Sequence, residues 1–175
     1  IGEIRDGETA DIAVKFALTG HLVFSTVHAN DAPGTITRLL DIGIAPFLVG
    51  SCLNLVMAQR LVRRLCNNCK EEYTPTKEEL GLVGLDPSKV PGKLYKAKGC
   101  AECRNTGYKG RLAIFEMIPM ARDLRKLVFE NANEDEIRQA SLNNGMETLR
   151  EAGLARVLDG TTSVEEVLRS TVEDL

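Results

Sequence analysis

The sequence predicts an α/β layer, followed by a small cysteine-stapled module and then a run of short helices. Three observations carry that prediction. Residues 1–65 alternate β-branched apolar stretches with helical patterns punctuated by Asp, Pro and Gly. From residue 66 to about 110 the composition turns to Pro, Gly and Lys, and two C-x-x-C pairs appear. From residue 111 one strand-like stretch leads into segments that carry helix-start signatures. With 175 residues, 43% hydrophobic and 27% charged, the chain has material for a globular core and fits no disordered, collagenous or fibrous class.

Taken in order, residues 1–3 read as the end of a strand. Asp6 is placed to cap a helix over residues 7–18, in which Ala10, Val14, Ala17 and Leu18 keep helical spacing and which Gly20 stops. Residues 21–27 are apolar and β-branched enough for a buried strand. A second helix follows Pro33, with Ile36, Leu39 and Leu40 on one face and Gly43 as terminator. A third starts at Pro46 and runs through Met57, apolar nearly all round, which implies a buried helix or an interface. Residues 66–110 hold too few large apolar side chains for a core of their own and need a staple. Residues 111–118 read as a strand and 121–174 as three or four short helices, with capping-box signatures at Asn133/Glu136 and Ser163/Glu166. The expected domains are therefore 1–65, 66–110 and 111–175.

Charge excludes little globally and more locally. The 22 Lys+Arg against 25 Asp+Glu give a net charge of −3, so bulk electrostatics make no case for nucleic acid or an anionic membrane. Residues 60–111 carry 12 basic and 6 acidic side chains, net +6, whereas residues 134–175 carry 4 basic and 10 acidic, net −6. The longest apolar stretch, residues 44–58, is interrupted by Pro46, Gly50, Ser51 and Asn54, so no transmembrane helix is expected. The chain opens at Ile1 with no capping or turn signal, which reads as a fragment.

Cys66-Asn67-Asn68-Cys69 and Cys100-Ala101-Glu102-Cys103 are two knuckles that together make one site. Four thiolates suit tetrahedral zinc, and pairs of this spacing bracketing a core-poor segment favour it over a redox dithiol or two disulfides. Four thiolates close the coordination shell, so the metal would be structural. Cys52, alone on an apolar helix, reads as a buried small hydrophobe. A zinc ribbon that binds nucleic acid or protein through its basic stretch is the rival to any enzymatic reading. Against nucleic acid, Tyr73, Tyr95 and Tyr108 are scattered, and the basic residues alternate with Glu71, Glu72, Glu78 and Glu79. A solvated or partner-docking face fits better.

Glu3 stands at the end of an apolar strand just before a helix, where α/β sheets place ligands and where a carboxylate can hold Mg²⁺ or orient a water. Residues 25–31 end a second stretch in Ser25, Thr26 and His28 and open into Asn30 and Asp31. If the two strands are neighbours, Glu3 and His28 share one edge of the sheet, and His21 faces the other as a structural or surface histidine.

These residues resemble a known family, the hexameric RecA-like ATPases of type II secretion and type IV pilus assembly. Gly2 to Thr9 resembles that family's Walker B box, residues 19–32 its histidine box, and residues 58–66 the stretch leading into its tetracysteine module. Residues 107–111 and 145–149 are similar to signatures beyond it. Ala29 and Ala113 depart from the family's common threonine and glycine, neither with loss of a charged group. The resemblance implies a partial RecA-like P-loop NTPase sheet, then the zinc module, then a C-terminal helical bundle. It implies that Glu3 is the catalytic Walker B glutamate near Mg²⁺ and the lytic water, that His28 contacts the γ-phosphate, and that Arg5 and Arg60 have structural or nucleotide-related roles. It implies Zn²⁺ on Cys66, Cys69, Cys100 and Cys103, with ATP and Mg²⁺ in the intact parent. The implied partners are a homo-hexamer and the inner-membrane platform and assembly proteins, without nucleic acid. The implied location is cytoplasmic, at the bacterial inner membrane through those partners. The tetracysteine set favours assembly and export motors over retraction motors.

No G-x-x-x-x-G-K-[ST] loop occurs among the 175 residues. P-loop chemistry needs that loop's amides and lysine around the phosphates, so this segment is expected to be inactive alone. The open sheet edge is expected to leave the apolar faces of Ile12, Val14, Phe16 and Val23 partly uncovered.

Overall fold

Asp6 starts the first helix as its sequence position implies: its Oδ1 accepts the Thr9 amide at 2.8 Å, and helix α1 runs Gly7–Leu18. The computed structural model describes residues 1–90 and 92–171. Two compact units interleave in sequence, Ile1–Ala58 with Glu116–Glu147, and Gln59–Phe115 with Thr148 onward. Two long strands, β1 (Leu55–Leu65) and β4 (Tyr108–Pro119), pair with each other.

In the first unit, α2 (Ala32–Asp41) is capped by Asp31 and has Pro33 in its first turn, where a missing amide hydrogen costs nothing. Helix α3 (Pro46–Cys52) packs on α5 (Arg122–Phe129), and α2 packs on α6 (Glu134–Asn143). The core gathers Ala10, Val14, Ile36, Leu39, Val49, Leu124, Val128 and Ile137. Gly50 is required at the α3–α5 approach, since a Cβ there would stand 2.5 Å from the Phe129 ring. Arg125 ties the same contact by donating to the carbonyls of Met120 and Gly50.

The second unit holds the antiparallel pair β2 (Glu71–Tyr73) and β3 (Leu94–Lys96), in register Glu72↔Tyr95. It also holds α4 (Lys77–Leu82), α7 (Leu149–Leu158) and α8 (Val164–Ser170). Full capping boxes start α4 at Thr76/Glu79 and α7 at Thr148/Glu151. Leu80, Val83 and Leu94, the buried large apolar residues between the cysteine pairs, pack with Leu154, Val157, Val164 and Val167. The core-poor segment thus completes its core with the last two helices.

Several expectations change. Residues 1–3 and 21–27 are not regular strands, and the second stretch is not buried: Leu22 and Phe24 are 74% and 77% exposed. They run side by side through only two backbone bonds, Ile1 ammonium to Phe24 O and Ile4 N to Thr26 O, which is too short a ladder for a sheet. Ile12 and Phe16 are exposed as expected, but Val14 is buried against the core. The helix from Pro46 stops at Cys52 rather than continuing through Met57; Leu53 turns extended, and Leu55, Val56 and Met57 enter β1. Four helices, α5 to α8, follow Pro119, and the last residues of the expected helical run, 172–174, lie outside the described residues. Among the described residues no helix is long and apolar enough to cross a membrane.

Candidate functional site

Three bonds register the first residues against the stretch ending at His28. Ile4 N donates to Thr26 O at 2.8 Å, Thr26 Oγ1 donates to Gly2 O at 2.9 Å, and the Ile1 ammonium donates to Phe24 O at 3.1 Å. That register brings the expected carboxylate and histidine together, with His28 Nε2 2.6 Å from Glu3 Oε1. Arg5 Nε donates to the other oxygen, Glu3 Oε2, at 2.5 Å. Glu3 is 20% exposed at its side chain, whereas His28 and Arg5 are open to solvent at 86% and 73%. A half-buried carboxylate flanked by two mobile-length donors can accept a proton from a water once a donor turns away. The donors themselves suit an anionic group.

The loop after His28 is anchored by residues that the sequence reading missed. Asp31 Oδ1 accepts the Gly34 amide and its Oδ2 accepts Arg138 Nη2 at 2.7 Å, while Arg138 also reaches Glu134 Oε1 at 2.7 Å. Burial works against the Arg138 charge, but the two carboxylates outweigh it and hold its pKa above the ordinary value. Glu116, 2% exposed, accepts the Ala32 amide at 2.8 Å through Oε1. One signal for Glu116 was available, since it falls in phase with Ile114 and Ile118 on the inward face of a strand. Its i,i+4 spacing from Glu134 marked Arg138 locally, but nothing local marked its bond to Asp31, 107 residues away. His21 lies at the surface, its Nδ1 2.9 Å from Thr19 Oγ1 and its ring edge-on to Phe16. Arg60 belongs to the second unit, where its Nη1 donates to Gln59 O at 3.1 Å.

The four knuckle cysteines converge in the second unit, with their sulfurs all within 4.8 Å of one another. The separations are 3.9 Å for Cys66–Cys100, 3.8 Å for Cys69–Cys103 and 3.7 Å for Cys100–Cys103. A disulfide would need about 2.05 Å. Four sulfurs placed tetrahedrally at about 2.3 Å from one ion stand about 3.8 Å apart, so the donor set fits zinc. Backbone amides already point at it: Cys100 N and Gly107 N donate to Cys103 Sγ at 3.1 and 3.2 Å. Burial opposes ionisation of Cys103, but those amides prevail and bring its thiol down to about 6. Desolvation instead pushes Cys69 up to about 12. Gly107 serves both pairs, since its carbonyl accepts the Cys66 amide at 2.9 Å. It must be glycine, with φ +75° and a would-be Cβ 2.5 Å from Ala97 Cβ. Cys52 lies apart from this group, half-buried in the first unit, with burial raising its thiol pKa.

Below the knuckle, Glu166 is fully buried and bonds both Arg63 and Arg169. Burial would raise its pKa, but the two guanidinium groups and the Arg63 amide hold it at about 2. Only half of the capping box expected at Ser163 therefore forms: Ser163 Oγ accepts the Glu166 amide, but the Glu166 carboxylate is spent on the arginines.

A sequence family described as "Type II/IV secretion system protein" matches residues 1–169. The type IV pilus assembly ATPase PilB of Myxococcus xanthus is 49% identical over 176 residues, which covers 99% of this chain and 31% of the relative. The type II secretion system protein E of Pseudomonas aeruginosa is 48% identical over 174 residues, covering 99% of this chain and 34% of the relative. The chain thus spans about a third of the length of these curated relatives. Among solved structures, the pilus retraction motor PilT with bound ADP matches with a TM-score of 0.64 at 22% identity, over 99% of this chain and 39% of that one. The Legionella pneumophila ATPase DotB matches with a TM-score of 0.61 at 18% identity, over 95% of this chain and 36% of that one. At those identities the likeness establishes the fold, and it is the α/β, RecA-like fold that the sequence predicts.

Proposed function

We propose, since this chain belongs to the type II/IV secretion system protein family, that it forms part of a hexameric ATPase motor for type II protein secretion or type IV pilus assembly. The observation that carries the proposal is the 2.6 Å approach of His28 Nε2 to Glu3 Oε1 at the position where the family resemblance puts its catalytic glutamate and histidine. Glu3 orients the attacking water and takes its proton, and His28 contacts the γ-phosphate. Both Glu3 oxygens are bonded, by His28 and Arg5, so one donor must swing away before the carboxylate can act as a base. Their solvent exposure leaves them free to do so. Arg5, once off Glu3, is then a candidate nucleotide contact, as is Arg60 of the second unit.

Mg²⁺ bound with ATP would neutralise phosphate charge beside Glu3. The phosphate cradle itself must come from residues outside this segment, which contains no Walker A loop, and the segment alone is inactive. Residues 1–65 belong to the motor core, 66–110 to the zinc module and 111–175 to the C-terminal subdomain. Zn²⁺ held by Cys66, Cys69, Cys100 and Cys103 is structural, because four thiolates leave it no open position. The proposed partners are other copies in the hexamer and platform proteins of the inner membrane, where the motor sits on the cytoplasmic side.

Mg²⁺-dependent ATP turnover by the longer protein, under conditions where hexamers persist, tests this. Glu3→Gln lowers turnover at least about 100-fold with assembly retained, and His28→Ala lowers it less. Unchanged turnover in both variants would remove the motor site from these residues and leave a zinc-stapled binding module.

A further inference from the structure

The second unit gives many of its cations an internal partner. Arg63 and Arg169 pair with Glu166, Arg156 with Asp159, Lys93 with Glu72, Lys98 with Glu71, and Lys109 with Glu102. Lys70 donates to Gly160 O and lies over the Tyr95 ring, and Lys96 lies over Tyr73. Among the described residues, Lys77, Arg104, Arg64 and Arg111 are left without such a partner, and of these only Arg64 and Arg111 come together. Each is exposed, neither has a hydrogen bond or ion pair from its side chain among the described residues, and both line the same open cleft of about 600 Å³ beside the cysteine knuckle. Lys109, Gly110, Asn67, Asn68 and Glu102 line it with them. Gly110, with φ +83°, leaves the Arg64 stem free to lie across bare backbone, 3.9 Å from where a Cβ would be.

We propose that this cleft binds an acidic peptide segment of a partner protein, with the Arg64 and Arg111 guanidinium groups taking its carboxylates. Planar guanidinium forks match carboxylates two hydrogen bonds at a time. The cleft, at about 600 Å³, is far larger than one small anion and is open to solvent. Asn67 offers a side-chain amide for a peptide backbone, while Asn68 Nδ2 is turned to Cys100 Sγ at 3.9 Å. Three cations against the single carboxylate of Glu102 suit one or two acidic side chains. A nucleic-acid strand would need more phosphate contacts and an aromatic platform, and the lining holds no aromatic residue. Peptide binding here needs no ATP, so it stands or falls separately from turnover at Glu3.

The test is fluorescence anisotropy of a labelled Glu/Ser peptide titrated with the zinc-loaded full protein at low and high salt. Inorganic pyrophosphate, anionic phospholipid vesicles and single-stranded DNA serve as competitors. The expected result is saturable, salt-sensitive peptide binding, weakened about tenfold or more in Arg64→Gln/Arg111→Gln and unchanged in Arg104→Gln, an exposed arginine outside the cleft. Zinc content equal to wild type verifies that the double variant is folded, and Arg111→Glu, which leaves Arg64 in place, provides a second reading. Equal binding by wild type and the double variant would overturn the proposal. So would no saturable binding up to about 1 mM, or displacement of the peptide by pyrophosphate, vesicles or DNA at concentrations below its own.

Discussion

The cysteine knuckle and the Glu3–His28 pair hold their chemistry in opposite ways. At the knuckle, donors come from two short turns, the amides of Cys100 and Gly107 already face one sulfur, and Cys66 and Cys103 are buried. At the other site, two irregular stretches meet through three bonds, and the His28 and Arg5 side chains stand in solvent around one half-buried carboxylate. The first arrangement is built to stay the same. The second is built from parts that can move apart, as the proposed role of Glu3 as a base requires while both its oxygens are bonded. Stability should therefore depend heavily on the knuckle and hardly at all on the pair.

The largest effect tests the rigid side. If the knuckle holds the proposed Zn²⁺, Cys103→Ser or complete chelation is expected to remove it and cost several kcal/mol, about 4 or more, lowering the thermal midpoint measured by calorimetry. An unchanged midpoint after verified metal removal would erase the contrast.

Next comes Glu166, whose replacement by Ala removes the partner of two solvent-reaching guanidinium groups and of the Arg63 amide and is expected to cost about 2 kcal/mol in urea unfolding. Its carboxyl is depressed from 4.5 to about 2 in the folded chain. The unfolded chain thus binds the proton first, and the stabilisation is present above about pH 4.5 and drains away as pH falls toward 2. Urea midpoints across that range should fall in the native protein and stay flatter in Glu166→Ala.

Asp31→Ala loses a helix cap and an Arg138 partner, and about 1 to 2 kcal/mol is expected in the same measurement. Turnover should fall as well, since this residue begins the anchored helix just beyond His28. The smallest effect is the sharpest: Glu3→Gln should leave stability within about 0.5 kcal/mol while abolishing turnover. A large stability loss in that variant would mean that the pair is structural.

The same contrast explains what was legible in the sequence. Cysteine spacing and caps such as Asp6 and Asn133 are local signals, and both of these caps form as read. That Glu3 and His28 meet was legible because each sits at the polar end of an apolar stretch. What escaped depends on distant neighbours. The helix from Pro46 was read too long because apolar residues in a strand and in a buried helix look alike until β4 supplies the pairing. Ser163–Glu166 has a capping-box spelling, yet the carboxylate went to Arg63, 103 residues away. Likewise, no local pattern announces that Leu80 and Leu94 will share a core with Val157 and Val167.

Gly107 joins the two halves of the knuckle through a single peptide unit, its amide on Cys103 Sγ and its carbonyl on the Cys66 amide. That makes it a built-in reporter. While the thiolates are held, the Gly107 and Cys66 amide protons are both engaged and exchange with deuterium only when the knuckle opens. Their exchange rates should accelerate together on metal loss, whichever cysteine lets go first. Occupancy of the centre can then be followed from two backbone protons, without labelling a cysteine or displacing an ion.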